Sequence, residues 1–454
     1  MSSPAGLLLV TVAGVALLIV LVARLRLHAF LALTIVSLLV GLASAMDPAQ
    51  VVRAFGDGVG GVLRSIAAVV GLGTILGKLL AESGGAQVLA NTLIRALGEK
   101  RLPWSMLLIG FIVGLPTWFT VGLVLLMPVL LAVHRASGAS LLTLGLPMLA
   151  GLALAHGLVP PHPGPMAAIG TLGAQVGATD TGRVILFALL VAIPAGVCAY
   201  WIARWLARRT PEEAMAAGLP PVAAPPPAAR PPSFGLTLGT ILLPLALMLL
   251  ATVGAIVLPA GHAVRRWLEF AGDPTVAMLA GVLLALWSLG IRCGYETKQL
   301  ARFCDECLGP VATVLLVVGA GGGFSKVLAA SGVGDVVAGL ARGSGLSPLV
   351  LGWMLAAGIR VATGSSTVGI TMAAGMVAPV AAATPGTSPE LLVVAMGAGS
   401  LLLSHLNDGG FWFVKEYFQL SVAQTLRTWT ALVTVLAVVA LGLVLVVDWI
   451  RGLI

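Results

Sequence analysis

Apolar stretches of bilayer-crossing length recur from one end of this chain to the other. Gly6–Ala23, Phe30–Ala45, Val184–Ala203, Leu236–Leu258 and Leu426–Val447 are examples. Each comes close to the roughly 20 helical residues that a hydrocarbon core requires. Only 9% of the 454 residues are charged, against about 25% in a soluble domain. A water-facing surface of the ordinary kind is therefore excluded, and the chain reads as an all-α polytopic membrane protein held in a lipid bilayer.

In a soluble protein a net charge of +8 would suggest nucleic acid as a partner. Here the basic residues sit in short loops beside apolar segments, at Arg24–Arg26, Lys100–Arg101, His134–Arg135 and Arg208–Arg209. That placement is the positive-inside pattern of cytoplasmic loops, so no nucleic-acid partner is expected. Arg24 and Arg26 put the loop after the first helix inside and the N-terminus in the periplasm. The opening Met-Ser-Ser-Pro lacks the basic region of a cleaved signal peptide, so the first apolar stretch reads as a membrane helix. Cys304-Asp-Glu-Cys307 has the spacing of a metal or redox pair. Zinc wants four ligands, and the chain offers no second pair or nearby histidine, so no metal or cofactor is expected.

The sequence is internally duplicated. Residues 69–90 and 317–338 align at a constant offset of 248 with 11 of 22 positions identical. Trp104 and Trp353, Thr120-Val-Gly122 and Thr367-Val-Gly369, and His156 and His405 follow in the same order at nearly the same offset. Equivalent loops differ in basic charge. Trp104–Val133 is flanked by Arg95, Lys100, Arg101 and Arg135, whereas Gly352–Ala383 is flanked by Arg342 and Glu390 alone. Opposite sidedness of equivalent segments marks the inverted repeats of secondary transporters. The expected fold is two inverted repeats, each of about five transmembrane helices plus a re-entrant helical hairpin and a broken helix. Residues 1–207 form the first repeat and 236–454 the second. Residues 208–235, rich in proline, form an extended cytoplasmic linker.

Four apolar segments are interrupted, two in each half: at Gly114–Thr120, Val159–Pro165, Ala362–Ser366 and Asn407–Gly410. Proline and glycine free backbone groups there, and membranes tolerate freed groups only where protein or a water-filled site satisfies them. The four breaks are expected to converge on a binding site.

The polar residues at the breaks supply the candidate chemistry. Arg360 sits on an otherwise apolar half-helix, where a charge is costly and by default functional. It is assigned to the charge of an anionic substrate, helped by half-helix N-termini that favour anions; the competing reading is a structural pair with Asp408 or Glu416. Thr363, Gly364, Ser365, Ser366 and Thr367 crowd hydroxyls onto one turn that can cap a helix or touch substrate. Thr117, Thr120, His156, His162 and Asn407 complete the substrate-binding set. Asp408 is the sole carboxylate at any of the four breaks and the first candidate for proton carrier, with Glu416 and His405 behind it.

Leu27–Leu33, Ser83–Ala86, Gly98–Arg101, His156–Pro165 with its Pro-Pro-His-Pro-Gly-Pro run, Ala362–Val368 and Ser404-His-Leu-Asn-Asp-Gly-Gly-Phe-Trp412 resemble the gluconate permease (gluconate:proton symporter) family. The likeness runs from about residue 24 to the C-terminus, omitting the linker. It implies proton-coupled uptake of gluconate or a related sugar acid across the bacterial inner membrane. It also implies a homodimer that moves a transport domain against a scaffold. One departure stands out: the family commonly carries an acid within Phe-Phe-(Glu/Asp)-Val-Gly, and this chain reads Trp118-Phe-Thr-Val-Gly122, with Thr120 in the acid's place. Transport of another small organic anion, such as a glycerate, lactate or dicarboxylate, is the alternative within this class. An intramembrane hydrolase built on His156 and His162 lacks a nucleophile–base set and a metal quartet.

Overall fold

The computed structural model describes residues 4–177, 179–210, 230–259, 261–332, 336, 346–406 and 408–453. Asn407, most of the proline-rich linker, Arg342 and part of the second copy of the duplicated motif lie outside the described residues. Every regular element among the described residues is helical.

The first half runs α1 (Pro4–Ile19), α2 (Ala29–Ala43), α3 (Pro48–Glu82), α4 (Gly85–Leu97), α5 (Leu102–Gly114), α6 (Phe119–Ser137), α7 (Leu141–Leu158), α8 (Pro163–Gln175) and α9 (Thr181–Arg208). The second runs α10 (Phe234–Val257), α11 (Ala263–Ala271), α12 (Pro274–Ala285), α13 (Thr297–Ala330), α14 (Pro348–Thr363), α15 (Ser366–Ala383), α16 (Pro389–Gly399) and α17 (Gly409–Tyr417). It closes with α18 (Val422–Leu453), which contains a π-turn at Leu426–Thr430. Helix starts follow a repeated local rule. A short polar residue accepts from the first free N–H groups and proline occupies the first turn, as at Asp47-Pro48, Asp273-Pro274, Ser347-Pro348 and Ser388-Pro389.

Among the described residues, nine helices are long and apolar enough to cross a membrane, and the chain is a multi-pass membrane protein. The stretches singled out in the sequence all lie on helices. The longest, α3 and α13, stand out less in the sequence because Arg53, Asp57, Arg64 and Lys78 on one, and Arg302, Asp305 and Glu306 on the other, dilute their apolar character.

α3 and α13 cross face to face and run antiparallel. Lys78, near the end of α3, reaches Glu306, near the start of α13, at 3.1 Å. At the opposite end Gly58 of α3 lies under Lys326 of α13. The crossing is closest where Gly58 meets Gly322. A Cβ on Gly58 would stand 2.4 Å from the Gly322 carbonyl oxygen, and one on Gly322 would stand 2.7 Å from that of Gly58. Small residues at a crossing let two membrane helices approach to backbone contact, where packing replaces the absent hydrophobic drive.

All four predicted breaks are present. α5 and α6 are separated at Leu115–Trp118, α7 and α8 at Val159–His162, and α14 and α15 at Gly364–Ser365. The fourth is longer than the Asn-Asp-Gly-Gly motif suggests, because α16 already ends at Gly399 and α17 begins at Gly409. The broken α7–α8 pair is almost wholly buried in the bundle. A break wrapped in protein satisfies its freed backbone groups internally, as the bilayer demands.

Candidate functional site

Three of the four breaks line one cavity of about 430 Å³, within the range of small-molecule sites, and the second approaches it only through His156. Trp118, Phe119 and Thr120 come from the first break and His156 from the end of α7. Arg360 and Gly364–Val368 come from the third break, and Ser400, Leu401, Ser404, Asp408 and Gly410 from the fourth. His28, Thr313, Trp429 and Val433 complete much of the wall.

Arg360 is buried at the end of α14. Its Nη2 donates to Oδ2 of Asp408 at 2.6 Å, and its Nη1 donates to the Gly364 carbonyl. Gly364 can turn that carbonyl back because it adopts φ +74, which costs glycine little; its own N–H caps α14 on the Arg360 carbonyl at 2.8 Å. Nε of Arg360 is buried without a hydrogen-bond partner.

Asp408 is held on three sides. Oδ2 also accepts from the Ser404 hydroxyl, and Oδ1 accepts from the Gly410 N–H at 2.8 Å, so the carboxylate caps α17. Ser404 is in turn fixed by the Trp429 indole, whose N–H donates to its Oγ at 2.8 Å. Phe119 stacks on Trp429, ring centroids 5.1 Å apart, and ties the first hairpin to α18. A guanidinium stays charged in any protein environment, so the pair is an ion pair of zero net charge at the cavity wall.

Three half-helices begin at this cavity. α6 starts at Phe119 with no side-chain cap, α15 at Ser366 with Ser365 accepting from Val368, and α17 at Gly409. Their leading N–H groups and dipoles favour an anion. Hydroxyls line the same space: Ser366 and Ser400 are bonded to each other at 2.7 Å, and Thr120, Ser365 and Thr367 stand nearby on the wall.

Behind the cavity, His156 and His162 form a directed chain. His162 Nε2 lies 2.7 Å from the Gly114 carbonyl, which can only accept, so that nitrogen carries the hydrogen. With both rings neutral, His162 Nδ1 is an acceptor and His156 Nδ1, 3.3 Å away, donates to it. The remaining nitrogen of His156 is then an unprotonated acceptor on a side chain that lines the cavity.

Eight of the residues expected at the site therefore line it: Arg360, Gly364, Ser365, Ser366, Thr367, Thr120, His156 and Asp408. Others stand elsewhere. Thr363 returns its hydroxyl to the Ile359 carbonyl, the usual local bond of a helical threonine, and Thr117, in the first break, bonds back to that of Val113 at the end of α5. His162 sits one ring behind the wall. His405 bonds to the Val361 carbonyl at 2.9 Å, pinning the fourth break to α14. Glu416 is exposed and paired with Lys415. The structural pair foreseen for Arg360 is with Asp408, not Glu416.

The fold and this charged cavity define a polytopic helical membrane transporter. The architecture is similar to the YdaH transporter of Alcanivorax borkumensis at TM-score 0.65 over 94% of this chain and 98% of that one, with 16% identity. The chain belongs to the GntP permease family, whose model (GntP family permease) matches residues 6–450. A gluconate permease of Pseudomonas aeruginosa is 47% identical, covering 99% of both chains. The Gnt-II system L-idonate transporter of Escherichia coli is 38% identical over 97% of this chain and 99% of the relative. The protein is a permease and not an enzyme, which removes the hydrolase reading of His156 and His162.

Proposed function

We propose that the protein imports gluconate or a related sugar-acid anion together with protons across the bacterial inner membrane. One observation carries this reading: Arg360 and three half-helix N-termini converge on a hydroxyl-lined cavity. A sugar acid presents one carboxylate and several hydroxyls, which matches that arrangement group for group. Relatives named for gluconate and for L-idonate support the substrate class.

Coupling follows from competition for one guanidinium. With Asp408 ionised, Arg360 is occupied, and an entering carboxylate meets a second negative charge at the same wall. A proton on Asp408 releases Arg360, whose Nη2 and unpartnered Nε then face a substrate carboxylate as a two-pronged donor. One anion and one proton enter together, and the charge of the site is unchanged. The substrate hydroxyls meet Ser365, Ser366, Thr367, Thr120, Ser400 and the free nitrogen of His156. Of the proton-coupling candidates, Asp408 is the one this scheme uses.

Two inverted repeats are the frame for this cycle. Helix order supports them: α3, the α5–α6 hairpin, the broken α7–α8 pair and α9 recur as α13, α14–α15, α16–α17 and α18. The α3–α13 crossing supports them too, since the Lys78–Glu306 and Lys326–Gly58 contacts exchange under the 248-residue offset. Basic residues flank Arg24–His28 and Arg208–Arg230, supporting a periplasmic N-terminus and a cytoplasmic linker. His28, on the side this topology makes cytoplasmic, also lines the cavity, which supports reading the cavity as facing inward; a homodimer is what the family resemblance implies.

Uptake into proteoliposomes of labelled gluconate, idonate, glycerate, lactate and a dicarboxylate, under an imposed pH gradient, tests the reading. Uptake of the two sugar acids is expected. Uptake of another anion with no sugar acid transported would overturn it.

A further inference from the structure

A second cavity, of about 460 Å³, opens on the outside of the bundle between α5, α7 and α9. Its floor is apolar, made by Leu107, Phe111, Leu154 and the bare backbone of Gly196. Its rim is basic and aromatic. Arg101 and Trp104 line it, Trp104 stacks on Tyr200 with ring centroids 3.9 Å apart, and Arg204 donates to the Tyr200 hydroxyl at 2.6 Å. Arg101 lines the cavity with Trp104, Arg204 is held beside it through Tyr200, and neither forms an ion pair among the described residues.

We propose that this groove is a binding site for an anionic phospholipid, with an acyl chain in the apolar trough and the phosphate between Arg101 and Arg204. Charge complementarity selects the occupant. A basic rim beside an apolar channel on a transmembrane surface suits a phosphate-bearing lipid, whereas a second protein chain would have to bring an acidic partner to both arginines. The adjoining face of α9 agrees: Ile193, Val197, Trp201 and Trp205 form one exposed stripe, and tryptophans at its basic end mark the level of the headgroups. This inference does not depend on the substrate of the central cavity.

Native mass spectrometry of the full-length protein, released from membranes containing phosphatidylglycerol and phosphatidylcholine in equal amounts, tests the site. The wild type is expected to retain phosphatidylglycerol in preference. Arg101→Gln with Arg204→Gln removes that preference, at about fivefold per basic residue. Gly196→Phe, tolerable because a Cβ there meets only Leu107 and Leu154 side-chain atoms at 3.6 and 3.8 Å, fills the trough and abolishes retention of either lipid. Unchanged lipid content in both variants would overturn the proposal. So would efficient disulfide linkage of two copies through Ile193→Cys in native membranes, which would show the groove covered by protein.

Discussion

Arg360 and Asp408 form a 2.6 Å ion pair across two helix breaks 48 residues apart, and both carry further bonds that hold them there. Inside a bilayer such a pair is tolerated because each charge is neutralised by the other. Its place on a cavity wall makes it more than a staple. The same guanidinium that binds Asp408 is the cation that, with the half-helix N-termini, favours an anion in the cavity.

Arg360→Gln leaves Asp408 buried without its cation. The substrate carboxylate loses a charged two-pronged donor, and hydrogen bonds to a charged group contribute about 1.5–3 kcal/mol each, so uptake is expected to fall by about 100-fold. Arg360→Lys keeps the charge but loses the fork, and is expected to recover only a small part. Initial rates in proteoliposomes measure both, with detergent-stable elution as the folding check.

The His156–His162 chain predicts a selective effect. His162→Phe frees His156 Nδ1 from its acceptor and lets the ring turn, so the cavity loses a fixed acceptor for a substrate hydroxyl. One neutral hydrogen bond contributes about 1 kcal/mol, so KM for gluconate is expected to rise five- to tenfold with kcat nearly unchanged. A deoxy analogue lacking that hydroxyl is expected to show no such difference between wild type and variant.

Thr120 lines the cavity at the position where the family resemblance implies an acid. Thr120→Glu adds a second titratable carboxylate to a site that has one. Gluconate uptake is expected to depend more steeply on external pH than in the wild type. Identical pH profiles would show that position 120 takes no part in coupling.

The Gly58–Gly322 crossing predicts a stability effect remote from the cavity. Gly322→Val places carbon against the Gly58 carbonyl, where only a backbone shift makes room. Overpacking costs typically 1–3 kcal/mol, and a lowered unfolding temperature in detergent is expected. Gly309→Ala, on the same helix with open space at its Cβ, is the control and is expected to leave stability the same or slightly higher, because alanine favours a helix over glycine by about 0.5–1 kcal/mol.

Much of this organisation is legible in the sequence because the bilayer leaves few options. Proline and glycine clusters inside apolar segments mark the breaks, and Arg360 and Asp408 are visible as charges where charges are expensive. What the sequence conceals is contact across the fold. Trp429 lies in a stretch that reads as plain membrane span, yet its indole orients Ser404. Ser400 belongs to a break that begins well before its glycines announce it. His28, capping α2, and Thr313, on α13, reach the cavity from segments whose sequences give no sign of it. Glu416 misleads for the opposite reason: it is close to Asp408 in sequence, but the turn of α17 carries it to the exposed face beside Lys415.

The most direct test of the coupling scheme is Asp408→Asn assayed in two ways on the same proteoliposomes. Asparagine keeps the shape of the carboxyl but cannot exchange a proton or occupy Arg360 as an anion. Counterflow exchange of labelled gluconate, which needs no net proton movement, is expected to persist and to lose its pH dependence. Concentrative uptake driven by an inwardly directed proton gradient is expected to vanish. A variant that still concentrates gluconate against its gradient at the wild-type level would contradict the account.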